Sequence, residues 1–380
     1  MLNRRHFTCG LAAGTLPWLT PRRAEGVHQR KKIAFLGTTV FEHSHAQHFL
    51  DRLVQGYAWD GRWRQPRVEV AGVYIDQFPD RDIGRRRIEK YGLKLFPSVE
   101  EALTLGGQQL AVDGVVLIGE HGQYPRNAKG QTLYPRYAWF KRIVNVFEDS
   151  GRSVPVFNDK HLSTEWDQCA EMVADARRLE FAFLAGSSLP VTWRLPGFEV
   201  PWQADLRESV CVAYGGVDSY DFHALETAQC MSERRRGGET GLRTVRAVRD
   251  AEAYAELEKR PETRALFTAA LTRSHSLPVD TGYPTAPVTF DWAQSALPSI
   301  VAYFIEHADG FRTSIFLTGI RDFNYAGRLA DGRLVGCQMM LPMPGRNATT
   351  ADFFNPLTHH IENTILTGHA PYPVERTLLT

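Results

Sequence analysis

The stretch Lys31-Lys32-Ile33-Ala34-Phe35-Leu36-Gly37 is a short apolar run that stops on a glycine, and residues 42–56 behind it carry apolar side chains at helical spacing. Strand, loop, helix is the reading. The same unit recurs: residues 68–75 form a β-rich run that ends at Asp76, and residues 81–91 read as a charged helix. Ser98-Val99-Glu100-Glu101 has the form of a capped helix start, and residues 114–118 are a continuous apolar run of the kind buried on both faces of a parallel sheet. A helix over 137–147 then leads to Val154-Pro155-Val156-Phe157. Strands alternating with helices predict an α/β fold with a doubly wound, Rossmann-like parallel sheet over residues 29–165.

The rest of the chain reads differently. After a helix over 164–179, residues 181–184 open a more β-rich half with strand-like runs at 210–213, 245–248, 299–305, 312–317 and 333–341. A second, α+β domain over residues 166–380 is expected, with the boundary near 160–180. The full length of 380 residues is enough for two cores. Hydrophobic residues at 43% and charged residues at 23% are ordinary globular composition. A net charge of +1 supplies no long-range field for nucleic acid, so any ligand is recognised locally. The five cysteines are widely spaced and form no CxxC pair, which argues for buried thiols over a disulfide or zinc framework.

Residues 1–28 form a separate region. Arg4-Arg5-His6-Phe7 precedes a mostly apolar run from Cys9 to Leu19, closed by Pro21 and followed by Arg22-Arg23. About 11 residues cannot cross roughly 30 Å of hydrocarbon as a helix, so no membrane span is expected. The order resembles a twin-arginine signal, which implies export of a folded protein to the periplasm; a basic tail on a cytoplasmic protein is the other reading.

Residues that could carry chemistry collect where strands end. Gly37 is followed by Thr38, Thr39, Val40 and Phe41, where a dinucleotide loop would show further glycines, and Glu42 puts negative charge where an anion should sit. Asp76 stands where an acidic residue bonds ribose hydroxyls, or is a turn residue before Phe78-Pro79. His43 and His45 form a His-x-His pair open to a divalent metal, for which His121, Asp159, His161 and His223 could supply further ligands. Asp159-Lys160-His161 sets a carboxylate, an ammonium and an imidazole side by side, suited to proton transfer or to a solvated loop. His223 and Glu226, three apart on a predicted helix, share one face. The polar, aromatic loop from Glu120 and His121 to Arg136 suits the apolar faces and hydroxyls of a sugar.

Taken in order, these pieces resemble the glucose-fructose oxidoreductase and inositol dehydrogenase family, Gfo/Idh/MocA. Val156-Phe157-Asn158-Asp159-Lys160-His161-Leu162-Ser163 is similar to the family's Glu-Lys-Pro motif, and His223-Ala224-Leu225-Glu226 to the end of its D-x-G-x-H-x-x-D motif. The segment 355–368, leading to Thr367-Gly368-His369-Ala370-Pro371, is similar to its closing helix and turn. The resemblance implies a second domain with a large open, mainly antiparallel sheet, and a homo-oligomer formed through it. It also implies NAD or NADP held by Gly37, Thr38, Thr39, Asp76, Glu120 and His121. The reaction implied is oxidation of a sugar or polyol, with Lys160, Asp159 and His223 as catalytic residues. Two alternatives stand beside it: a metal-dependent hydrolase, lyase or isomerase, and a non-catalytic carbohydrate-binding protein.

Overall fold

The computed structural model describes residues 30–278, 286–342 and 350–380. The candidate leader at Arg4-Arg5 therefore lies outside the described residues. The first lobe opens with β1 (Lys31–Gly37), α1 (His45–Gln55), the hairpin β2 (Tyr57–Trp59) and β3 (Arg62–Arg64), and β4 (Val68–Ile75). It continues through α2 (Gly84–Tyr91), α3 (Val99–Thr104), β5 (Gly114–Ile118), α4 (Arg136–Ser150), β6 (Val156–Asp159), α5 (Trp166–Arg178) and β7 (Phe183–Gly186).

Five of these strands form one parallel sheet in the order β4-β1-β5-β6-β7. Alternation decides its layers. Ile33 and Phe35 of β1 face α1, while Ala34 and Leu36 face α3, α4 and α5, and all four side chains are fully buried. Because successive connections run in opposite directions from β1, the carboxyl ends of β1 and β5 frame a switch point, where an open α/β sheet holds its ligand.

The second lobe contains β8 (Arg194–Leu195), β9 (Leu206–Tyr214), α6 (Asp221–Ser232), β10 (Leu242–Arg249), α7 (Asp250–Glu258), α8 (Pro261–Leu271), α9 (Phe290–Ala296), β11 (Val301–His307), β12 (Arg312–Thr318), β13 (Phe323–Leu329) and β14 (Leu334–Met339). Its seven strands run β10-β11-β12-β9-β13-β14-β8. Only the β12–β9 pairing is parallel. Val210 and Val212 of β9 pack on the layer of α7, α8 and α9, whereas Cys211 and Ala213 pack on α6. Cys169, Cys211, Cys230 and Cys337 are free thiols.

The expected boundary is displaced. Residues 181–184 do not begin the second domain: Phe183–Gly186 pairs in parallel with β6 and extends the first sheet, so that lobe runs past residue 165. Its four residues are buried on both faces, and such a run looks the same in sequence whichever sheet it joins. The chain also returns. α10 (Phe354–Thr367) packs on the first lobe, with Phe354, Leu357, Ile361 and Ile365 buried beside Phe35 and Val116, and α11 (Glu375–Leu379) lies against both α5 and α6, where Arg376 pairs with Glu233. The approach is close enough that a Cβ on Gly114 would lie 2.7 Å from Ile365. Among the described residues, no helix is long and apolar enough to cross a membrane.

Candidate functional site

A cavity of about 490 Å³ lies between the lobes, at the carboxyl edge of the first sheet. Lys160, immediately after β6, and His223, in the first turn of α6, both line it, although 63 positions separate them. His45, the first residue of α1, and Glu120, two residues beyond β5, complete the first lobe's contribution.

Lys160 has a left-handed backbone (φ 63°), and its amide donates to Gly186 O at 3.1 Å. Its ammonium donates to Glu120 Oε1. Burial pulls the lysine pKa down, but the neighbouring Glu120 and Asp159 outweigh it and hold the pKa above the usual value, so Lys160 is a cation. Burial pushes the Glu120 pKa up, and this is overcome by His45 and Lys160, which hold the group well below the ordinary carboxyl range. His45 Nδ1 lies 2.8 Å from Asp159 Oδ2 and 3.3 Å from Glu120 Oε2. Glu120 Oε2 and Asp159 Oδ1 have no hydrogen-bond partner, and Asp159 is fully buried.

The opposite wall is built around Glu226. Its carboxylate accepts from Ser187 N at 2.7 Å, from Ser187 Oγ, and from His223 Nδ1 at 3.0 Å. A carboxylate only accepts, so Nδ1 carries the hydrogen, and in the neutral imidazole Nε2 is the nitrogen with the lone pair. Gly186 makes this possible: it sits at φ 117°, and a Cβ there would stand 2.9 Å from Glu226 Oε1.

Arg136 and His161 escaped the sequence reading as a pair. Arg136 is buried and donates from Nη1 to His161 Nε2 at 2.9 Å. Burial, and then Arg136 and Lys160, drive the His161 pKa far down, so this imidazole is neutral. A buried arginine at the start of α4 carries no sequence signal beyond Tyr-Pro-Arg, which any helix start could show.

The other expected residues fall elsewhere. Of the His-x-His pair only His45 joins the buried acidic group. His43 precedes the helix in a left-handed conformation (φ 67°), half exposed and stacked beside His48 with ring centroids 6.1 Å apart. Ser44 between them caps α1, and among the described residues the group within metal-binding reach holds His45 with Glu120 and Asp159 and not His43, which corrects the His43–His45 metal pairing. His121, also left-handed (φ 65°), packs edge-on against Phe41 at 5.0 Å and lies 3.7 Å from Glu120 Oε1.

The residues expected to hold a nucleotide do not fit one as they stand. The amides of Phe41 and Gln47 donate to Ser44 Oγ, that of His43 to Gln47 Oε1, and that of Ser44 to Phe41 O. Four amides of the stretch that would cradle a pyrophosphate, those of Phe41, His43, Ser44 and Gln47, are thus satisfied within it. Gly37 ends β1, but Thr38 and Thr39 are fully buried, and Thr38 Oγ1 donates to Glu120 O. Asp76 accepts from Tyr74 and Tyr124 hydroxyls, each at 2.7 Å, where a ribose would compete. Arg81 lies over the Phe41 ring at 3.6 Å. The loop after β5 is tied down by Gln123 N donating to Gln77 Oε1 at 2.8 Å, and it reaches the second lobe through Gln131 and Asp218, 2.7 Å apart.

No protein-family model matches the chain, and no curated protein matches it. Solved structures do. GenD2 from gentamicin A biosynthesis, in complex with NAD, is 12% identical with a TM-score of 0.57, covering 96% of this chain and 94% of its own. Scyllo-inositol dehydrogenase from Lactobacillus casei is 9% identical with a TM-score of 0.53, covering 92% and 93%. Myo-inositol 2-dehydrogenase from Lactobacillus plantarum is 9% identical with a TM-score of 0.52, covering 92% and 94%. Over more than nine-tenths of its length, this chain has the two-lobed α/β fold of these structures.

Proposed function

We propose that the chain is an enzyme acting on a small, sugar-like polyhydroxylated molecule in the interlobe cavity, by proton transfer involving Lys160 and His223. The observation that carries this reading is the convergence of the two residues on one cavity from separate lobes. Their states are complementary. Lys160, kept cationic by Glu120 and Asp159, donates to a substrate oxygen and stabilises negative charge there. His223, held through Nδ1 by Glu226, offers Nε2 as the proton acceptor. Aromatic groups such as Tyr220, Phe222 and Phe323 line the same space and suit the apolar face of a sugar ring.

A second reading, oxidation of the substrate hydroxyl with hydride passing to NAD or NADP, is favoured by the fold shared with GenD2, a protein solved with NAD. It would require the loop around Phe41 and Tyr124 to open. One experiment separates the two. Sugars and polyols are incubated with the protein in deuterated water, with and without added nucleotide. Deuterium entering a substrate carbon supports proton transfer; near-ultraviolet absorbance of reduced nicotinamide supports oxidation. Neither signal across sugars, sugar acids and cyclitols would remove both readings.

Two further readings belong to the proposal. Export is tested by fusing residues 1–30 to a reporter and asking whether Arg4→Lys with Arg5→Lys blocks its translocation. Association through the second sheet, whose edge strand β10 is largely exposed, is tested by light scattering.

A further inference from the structure

The cavity floor holds a group with a chemistry of its own. His45, Glu120 and Asp159 come from the ends of three strand-to-helix connections, and one ligand atom from each lies within 4.8 Å of the others. Bond lengths near 2.1 Å place ligand atoms around a divalent ion roughly 3 to 4 Å apart, and His45 Nδ1 already lies 2.8 Å from Asp159 Oδ2 and 3.3 Å from Glu120 Oε2, so a closure of about 1 Å between the two carboxyl groups suffices. Two acidic groups are buried here at 0% and 9% exposure. Lys160 touches Glu120 Oε1 and not Asp159, while His45 Nδ1 lies against Asp159 Oδ2 and Glu120 Oε2. Arg136, the nearby buried cation, is committed to His161 and forms no ion pair with either acid. Asp159 Oδ1 and Glu120 Oε2 are left without a partner in a place where an unpaired oxygen is costly.

We infer that His45, Glu120 and Asp159 form a binding site for one divalent transition-metal cation, of the zinc or manganese class, at the cavity floor. One imidazole and two carboxyl groups are the donor set such ions take, and three protein ligands leave positions for oxygen atoms of a molecule in the cavity. Glu120 and Asp159 each have an oxygen ready to accept it without breaking an existing bond. The inference does not rest on the proposed reaction, because metal binding is read without turnover.

The test uses the full-length protein, stripped with chelator and titrated separately with manganese and zinc chloride by calorimetry, with metal content measured after gel filtration. About one equivalent per chain is expected for at least one of the two ions. Asp159→Asn and His45→Ala should weaken binding by about a hundredfold or more, and His43→Ala should leave it within a few-fold. Should the variants fail to fold, wild-type protein supplies the second readout: bound metal should shield His45, and not His43, from diethylpyrocarbonate modification mapped by mass spectrometry. The inference is overturned by substoichiometric uptake of both ions. It is equally overturned by stoichiometric binding that survives in His45→Ala but is lost in His43→Ala, or by a His45 modified equally fast with and without metal.

Discussion

At the corner of the sheet edge formed by β1 and β4, polar groups are paired with each other. Asp76 is held by two tyrosines, the amides before α1 by Ser44 and Gln47, and Gln77 by Gln123. At the corner formed by β5, β6 and β7 the reverse holds. Lys160 sits in a left-handed conformation, two buried carboxyl oxygens lack partners, and a histidine presents a nitrogen to a cavity. Apart from the buried Thr39 hydroxyl, the first corner thus bonds to itself while the second keeps two unpartnered carboxyl oxygens, and unpartnered buried polar groups mark where a ligand contributes.

The largest expected effect lies at the unsatisfied corner. Lys160→Ala or His223→Ala should lower turnover by about 10²- to 10⁴-fold with the fold intact, which circular dichroism checks alongside steady-state rates. A variant of either that turns over like wild type removes that residue from the chemistry. Glu226→Gln should cost about ten- to a hundredfold in kcat with little change in KM, since it acts by orienting His223. An unchanged kcat would mean that the imidazole finds its orientation without Glu226.

Effects on stability come next. Gly186→Ala should destabilise the protein by about 2 kcal/mol, as it forces a side chain into a positive-φ position and against Glu226. Chemical denaturation reads this, and a wild-type midpoint would show that the β7 turn relaxes. His48 gives a pH signature: burial first, with Arg52, His45 and His43 adding, lowers its pKa from 6.5 to about 3. Its neutral form is favoured by folding, so its contribution is complete above pH 6.5 and is lost as pH falls toward 3. His48→Gln should flatten the decline in melting temperature across that window; an identical pH profile would place the acid sensitivity elsewhere. The smallest effect belongs to the satisfied corner. Tyr124→Phe should cost about 1 kcal/mol or less and leave turnover unchanged. A large loss of turnover would bring that corner into the active site.

Much of the first lobe was legible, because β4 and β5 are runs whose apolar pattern and flanking turns leave one reading. The helix carrying His223 was equally readable. β13 (Phe323–Leu329) was missed: Phe-Asn-Tyr-Ala-Gly-Arg-Leu has no strict alternation, since Asn324 is buried through bonds to Asp322 and Gln338. Site residues were found where they stand at strand ends, as with Asp159 and Lys160. Their grouping was not, because which of His43 and His45 meets Asp159, and that Glu120 pairs with Lys160, depend on contacts between residues far apart in sequence.

The return of α10 to the first lobe has a consequence for how the molecule is made. Phe354, Leu357 and Ile361 fill a core whose other half, Phe35 and Phe49, leaves the ribosome some three hundred residues earlier. The first lobe therefore cannot close until residues 354–361 have been made, and the second lobe is free to fold while the first waits. Removing the last thirty residues should unravel the opening lobe and cost the later one chiefly the Arg376–Glu233 pair, the opposite of what a simple tail deletion does.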